Sequence, residues 1–135
     1  MKMSNSAQYG LMAVGYIATH PTDGNIRADI IAAKYNMPLE FLLKILQYLV
    51  RAGILNSKRG PRGGFTMGKP AEEVTLLDIF EAVDGPSMNQ VDLIEQTRKA
   101  PYASRMEKVC DGAIAKRNEV LRSATLAALV DAKKK

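Results

Sequence analysis

The chain has 135 residues, 47% of them hydrophobic and 24% charged. That is the balance of a globular domain able to bury a core without metals or crosslinks. No apolar run approaches the ~20 residues of a membrane span, and the N-terminus lacks a signal-peptide core with a small-residue cleavage site. A single cysteine, Cys110, excludes an internal disulfide framework and suits a reducing cytoplasm, the expected location. The net charge of +5 is unevenly placed: residues 1–69 hold nine cations and three acids, whereas residues 70–135 hold ten and eleven. A basic N-terminal half attracts polyanions by releasing their counterions, although a merely solvated basic surface would read the same.

Ser4 is an N-cap in sequence, followed at helical spacing by Tyr9, Met12, Ala13, Tyr16 and Ile17. This helix ends before His20-Pro21, because the residue ahead of proline resists the α conformation. His20 is expected at the surface or capping that helix. A second helix spans about Ala28 to Tyr35, with Ala28, Ile31, Ala32 and Tyr35 inward, and Asn36-Met37-Pro38 breaks it. Pro38 suits the start of a third helix. There Leu39, Leu42, Leu46, Leu49 and Val50 make an apolar stripe, and Gly53 is the expected C′ residue.

Ile54 to Lys58 and Phe65 to Met67 read as two strands around a glycine-rich loop. Thr75 and Asp78 form a capping box for a helix stopping at Gly85-Pro86. Residues 86–101 carry one weak helix, about Val91 to Thr97. A long helix follows from Tyr102 to about Arg122, with Met106, Val109, Cys110, Ala113, Ile114, Val120 and Leu121 as its apolar stripe. Ser123 or Thr125 caps a last short helix containing Leu126, Leu129 and Val130. Lys133, Lys134 and Lys135 read as a solvated tail.

Helices joined by a tight turn with a hairpin behind them describe a winged helix-turn-helix head. The whole fold is mainly α with a small β-hairpin. Residues 1–85 form the head, 86–101 a variable loop or weak helix, and 102–132 a dimerisation helix with a short C-terminal helix. The N-terminal end of the third helix, Pro38 to Lys44, should face bases in a major groove. The hairpin tip, Lys58-Arg59-Gly60-Pro61-Arg62-Gly63-Gly64, sets three cations among three glycines. Glycines permit close backbone approach and the cations neutralise phosphates or enter a narrow minor groove. One His, one Cys and no paired acids give no catalytic constellation, so no enzyme is expected.

The wing Arg59 to Phe65, followed by Gly68-Lys69-Pro70 and Ile79-Phe80-Glu81-Ala82-Val83-Asp84-Gly85, resembles the Rrf2 family of bacterial transcription regulators. The resemblance implies a homodimer held by the long helix, each head reading half a palindrome; the apolar stripe residues Met106, Val109, Cys110, Ala113, Ile114 and Leu121 are the expected seam, with plain intramolecular core as the alternative reading of that stripe. It places the DNA-facing residues at Ser4, Gln8 and Tyr9, at Pro38, Glu40, Phe41 and Leu43, and at Arg59 and Gly60. Lys44, Lys58 and Arg62 join them as cations of the same elements. Pro38 and Leu43 stand where relatives are often polar. Glu40 reads equally as an acceptor for a cytosine amino group or as a solvated first-turn acid.

Cluster-binding members of that family carry closely spaced cysteines before the long helix, and this chain has none there; the corresponding ligand positions fall on Ser104 and Glu107. One thiol does not hold an iron–sulfur cluster, so no cofactor is expected, and Cys110 reads as a small buried hydrophobe, the alternative being a redox switch, which would need exposure and a lowered pKa. The expected function is a sequence-specific repressor of double-stranded DNA, with the signal left open between a small-molecule effector and a partner protein. The alternative is a winged-helix protein-interaction module in which the basic wing is incidental.

Overall fold

The computed structural model describes residues 2–86 and 92–131. Helices α1 (Asn5–Ala18), α2 (Ala28–Tyr35) and α3 (Leu39–Arg51) precede an antiparallel hairpin of β1 (Leu55–Lys58) and β2 (Gly64–Met67). A 3-10 turn, Ala71–Glu73, then leads into α4 (Leu76–Asp84), α5 (Leu93–Gln96), α6 (Pro101–Ser123) and α7 (Leu126–Val130). None of the described helices is long and apolar enough to cross a membrane.

Local chemistry sets these boundaries. The Ser4 hydroxyl accepts the Ala7 N–H (3.0 Å) at the start of α1. His20 Nδ1 lies 2.7 Å from the Tyr16 carbonyl oxygen and closes the other end, its ring stacked on that of Tyr16. The capping box is complete: Thr75 Oγ accepts the Asp78 N–H (3.1 Å) while Asp78 Oδ2 accepts the Thr75 N–H (2.9 Å). Thr125, not Ser123, caps α7.

Helix α3 is the keel of the core, its residues Leu42, Ile45, Leu46 and Leu49 wholly buried. Around it pack Val14 and Ile17 from α1, Ile31 from α2, Leu55 from β1 and Ile79 from α4. Gly10 brings α1 against α4, where an added Cβ would already touch Ile79 and Val83 at 3.5 Å. The C-terminal helix returns to this core. Leu126 is buried in it, the Leu126 N–H donates to the Val74 carbonyl (2.7 Å), and the Leu76 N–H donates to Ala124 (3.0 Å).

Several positions expected inside are outside. Tyr35 is exposed because α2 is only two turns long and docks through Ala28, Ile31 and Ala32; Tyr35 projects past the contact and meets the Tyr16 ring edge-on at 5.9 Å. Met12 and Leu39 are exposed, while Ala7, Gly10 and Val14 take the inner face of α1. Leu129 is also exposed. The expected helix from Val91 is observed as α5; Val91 itself and the terminal lysines lie outside the described residues.

The long helix requires the largest correction. Leu121, expected at a dimer seam, is buried in its own chain with Ala7, Leu77 and Phe80, and the Arg117 guanidinium lies 5.2 Å from the Phe80 ring centroid beside it. Cys110, expected to be buried, is exposed, since the middle of α6 extends beyond the head that covers its C-terminal turn. Leu121→Ala should cost about 2–5 kcal/mol of stability through lost burial and the cavity left behind, read as a lower denaturant midpoint at unchanged slope.

Candidate nucleic-acid interface

Two short helices meet here across a turn whose geometry the sequence dictates. Asn36 ends α2 in the left-handed conformation (φ 55°, ψ 52°), which asparagine tolerates better than most residues. The Met37 N–H then reaches back to the Ala32 carbonyl (2.9 Å) and the Met37 side chain is buried, the arrangement of a Schellman end. Pro38 caps α3 with an extended backbone. With one side of α3 consumed by the core, Leu39, Glu40, Leu43, Lys44, Gln47 and Tyr48 are left on the outside.

The hairpin stands beside that outer side and is held in place by backbone chemistry. Lys58 pairs with Gly64 across the ladder, and the Gly63 N–H donates to the Gly60 carbonyl (2.9 Å) to fold the tip. Ile26, just before α2, exchanges both backbone hydrogen bonds with Phe65 (2.9 and 2.8 Å). The Asn25 amide adds a hydrogen bond to the Arg62 carbonyl (3.1 Å). Two glycines are obligatory here. Gly64 has φ +145° and its absent Cβ would fall 2.6 Å from the Ile26 carbonyl oxygen; that of Gly63 would overlap the Lys58 carbonyl.

Between the wing and the N-terminal end of α3 runs an open groove of about 380 Å³, lined by Arg27, Asp29, Leu39, Leu43, Lys58 and Gly60 among others. Lys44, Lys58, Arg59 and Arg62 are all exposed, and none forms an ion pair among the described residues. Arg27 differs. Its guanidinium clasps the Asp29 carboxylate at 3.1 and 3.0 Å. This hydrogen bonding holds Asp29 below the usual carboxylate range and Arg27 above the usual arginine one. Both side chains remain in solvent, where such a pair contributes little to stability.

The structure brings most of the sequence-predicted residues together. Pro38, Glu40 and Lys44 are exposed on one helix end, with Lys58, Arg59, Gly60 and Arg62 exposed on the adjacent wing. Tyr9 meets Phe41 with ring centroids 5.2 Å apart, tying α1 to α3. Phe41 is half-buried against the core and anchors that junction, while Gln8 is exposed near it. Ser4 is committed elsewhere, since its hydroxyl, besides capping α1, donates to the Asp84 carboxylate (2.8 Å to Oδ2) at the end of α4. Sequence reasoning missed Arg27. Its signal was a cation at the N-cap of α2, ahead of an acid two residues on.

Along α6, two neighbouring faces differ. Tyr102, Met106, Val109, Ala113 and Val120 are exposed, the valines by 73% and 65%. Ala103, Glu107, Ile114 and Leu121, one residue on and so ~100° around the helix, are buried or half-buried. Glu107 accepts the Ile94 N–H (2.8 Å), fastening α5 to α6. At the position where the resemblance sets a cluster ligand, this chain therefore has a structural carboxylate.

A basic, glycine-tipped hairpin behind a helix-turn-helix defines a winged helix-turn-helix protein. A family model described as Rrf2, iron-dependent transcriptional regulator, matches residues 3–132. The chain belongs to the Rrf2 family of bacterial transcriptional regulators. Among relatives, it is 42% identical over 80 residues to BadM of Rhodopseudomonas palustris, covering 59% of this chain and 51% of that one. A second, Rv1287 of Mycobacterium tuberculosis, is 31% identical over 93 residues, 69% of this chain and 58% of the other. The match thus spans little more than half the length of these curated relatives. The oxidised form of Staphylococcus aureus CymR superposes with a TM-score of 0.73 at 27% identity, covering 97% of both chains.

The donor set does not fit the iron of the family's description. Among the described residues no three His, Cys, Asp or Glu side chains gather as a metal site. The lone thiol of Cys110 is on α6, and the Nδ1 of His20 is engaged at the end of α1.

Gly64→Ala should displace the wing from Ile26 and cost about 1–3 kcal/mol, the range for a residue forced into a disfavoured backbone conformation. Amide exchange should then accelerate at Ile26 and Phe65 first, because their paired bonds are the ones the new Cβ would push apart.

Proposed function

We propose that the chain is a DNA-binding transcription repressor that grips a palindromic operator as a homodimer and works without an iron–sulfur cluster. The observation that carries this reading is the groove itself: the N-terminal part of α3 and the glycine-tipped wing line it together, and Lys44, Lys58, Arg59 and Arg62 on those two elements are exposed and form no ion pair among the described residues. Helix α3 enters the major groove with Pro38, Glu40, Leu43 and Lys44 toward the bases. Lys58, Arg59 and Arg62 take the neighbouring backbone or minor groove, and Gly60 lets the tip approach closely. Gln8 and Tyr9 lie at the flank. Arg27, already oriented by Asp29, extends the cationic rim.

The dimer is supported by the outer face of α6. Tyr102, Met106, Val109, Ala113 and Val120 follow the alternating four- and three-residue spacing of a coiled-coil seam, with Lys116 completing the repeat. Two heads joined there match the two-fold symmetry of a palindrome, their half-sites spaced by about 34 Å or a multiple. Occupying an operator is enough to exclude polymerase, so repression needs no surface beyond these.

Selection of genomic fragments with the purified protein should enrich a palindrome. On the selected duplex, Arg59→Ala and Arg62→Ala should each weaken binding and lower the slope of log affinity against log salt by about 0.9, read by fluorescence anisotropy. Unchanged affinity in both variants would refute the wing's role. Val109→Asp, on the exposed face, should leave the circular dichroism intact, shift sedimentation equilibrium to the single-chain mass and abolish tight operator binding. A variant that stays dimeric rejects the α6 seam.

A further inference from the structure

The base-facing end of α3 is more apolar than the core requires. Leu42, Ile45, Leu46 and Leu49 complete the buried stripe at 0% exposure, yet Leu39 and Leu43, one turn apart, remain 41% and 38% exposed. Pro38 ahead of them is exposed too. Both leucines line the groove beside the wing, and only Glu40 and Lys44 supply polar side-chain atoms over the first turns. A side chain without donors or acceptors gains nothing from the edges of guanine, adenine or cytosine. The feature of a B-DNA major groove that rewards apolar contact is the C5 methyl of thymine. Lys58 lines the groove with the leucines, Lys44 follows Leu43 on the same helix, and Arg59 and Arg62 are exposed on the wing that forms the groove's other wall; these cations favour a polyanion over an apolar peptide as the occupant.

We infer that Leu43, with Leu39 beside it, is a specificity-determining contact that reads thymine methyl groups in each half-site. The inference rests on the DNA-reading function proposed above and adds which base is read and by what force. Desolvating a leucine against a methyl discriminates thymine from cytosine through burial alone. Hydrogen bonds at the remaining positions fall to Glu40 and Lys44.

The test uses the selected duplex with its thymines replaced one at a time by deoxyuridine, which removes the methyl and preserves pairing and the O4 acceptor. At one or two positions per half-site, each substitution should weaken binding about fourfold, and about sixteenfold when both half-sites are changed. Leu43→Ala lies on the surface and should fold normally. It should bind the thymine and deoxyuridine duplexes alike at the affected position while keeping the wild-type salt slope. Equal wild-type affinity for all deoxyuridine duplexes overturns the inference and leaves the DNA-reading function standing. Discrimination that persists in both Leu43→Ala and Leu39→Ala overturns it as well. If no duplex is enriched over random sequence, the DNA-reading function fails and this inference with it.

Discussion

Everything in this head depends on α3 satisfying two demands at once. One side must be buried deeply enough to hold four other elements, and the opposite side must remain free. Leu42, Ile45, Leu46 and Leu49 meet the first demand: each is fully buried, and each contributes about 1.5–3 kcal/mol through burial. Because those contacts reach α1, α2, α4 and β1 together, the orientation of α3 is fixed by the whole core. Its outer residues inherit that rigidity without contributing to it, as a surface that must recognise a rigid ligand requires.

The wing is fixed by a different force. It buries little, and its position comes from backbone pairing with Ile26 and from two glycines that allow the chains to approach. The tip that carries Arg59 and Arg62 extends beyond that pairing. A firmly placed hairpin thus ends in side chains free to adapt, which suits contact with phosphates whose positions vary with groove width.

What was legible in the sequence was what is decided locally. Thr75 and Asp78, Gly53, the Asn36-Met37-Pro38 turn and the glycine-rich wing all declared themselves, since caps and turns depend on residues a few positions apart. The two faces of α6 did not. Met106 and Leu121 belong to seams ~100° apart on the helix, and only the placement of α4 decides which one meets the head. Ser4 was legible as a cap; its bond to Asp84, 80 residues on, was not. Arg27 escaped notice because charge alone carries no direction. Tyr35 and Leu39 looked inward because periodicity does not reveal where a short helix runs out of neighbours.

The fastening of α6 is lopsided. Near its C-terminus it is clamped by Leu121, by Arg117 over Phe80 and by the return of α7 into the core; at its other end, among the described residues, Glu107 fastens the one-turn helix α5. A rod of 23 residues is about 34 Å long, and its packing against the head is concentrated near one end. Tilting it by ten degrees would sweep the free end through roughly 6 Å, close to the rise of two base pairs. In the homodimer proposed above, the angle at which α6 leaves Leu121 would set the operator spacing the pair can span, so a small change of packing there would retune it without touching the reading surface.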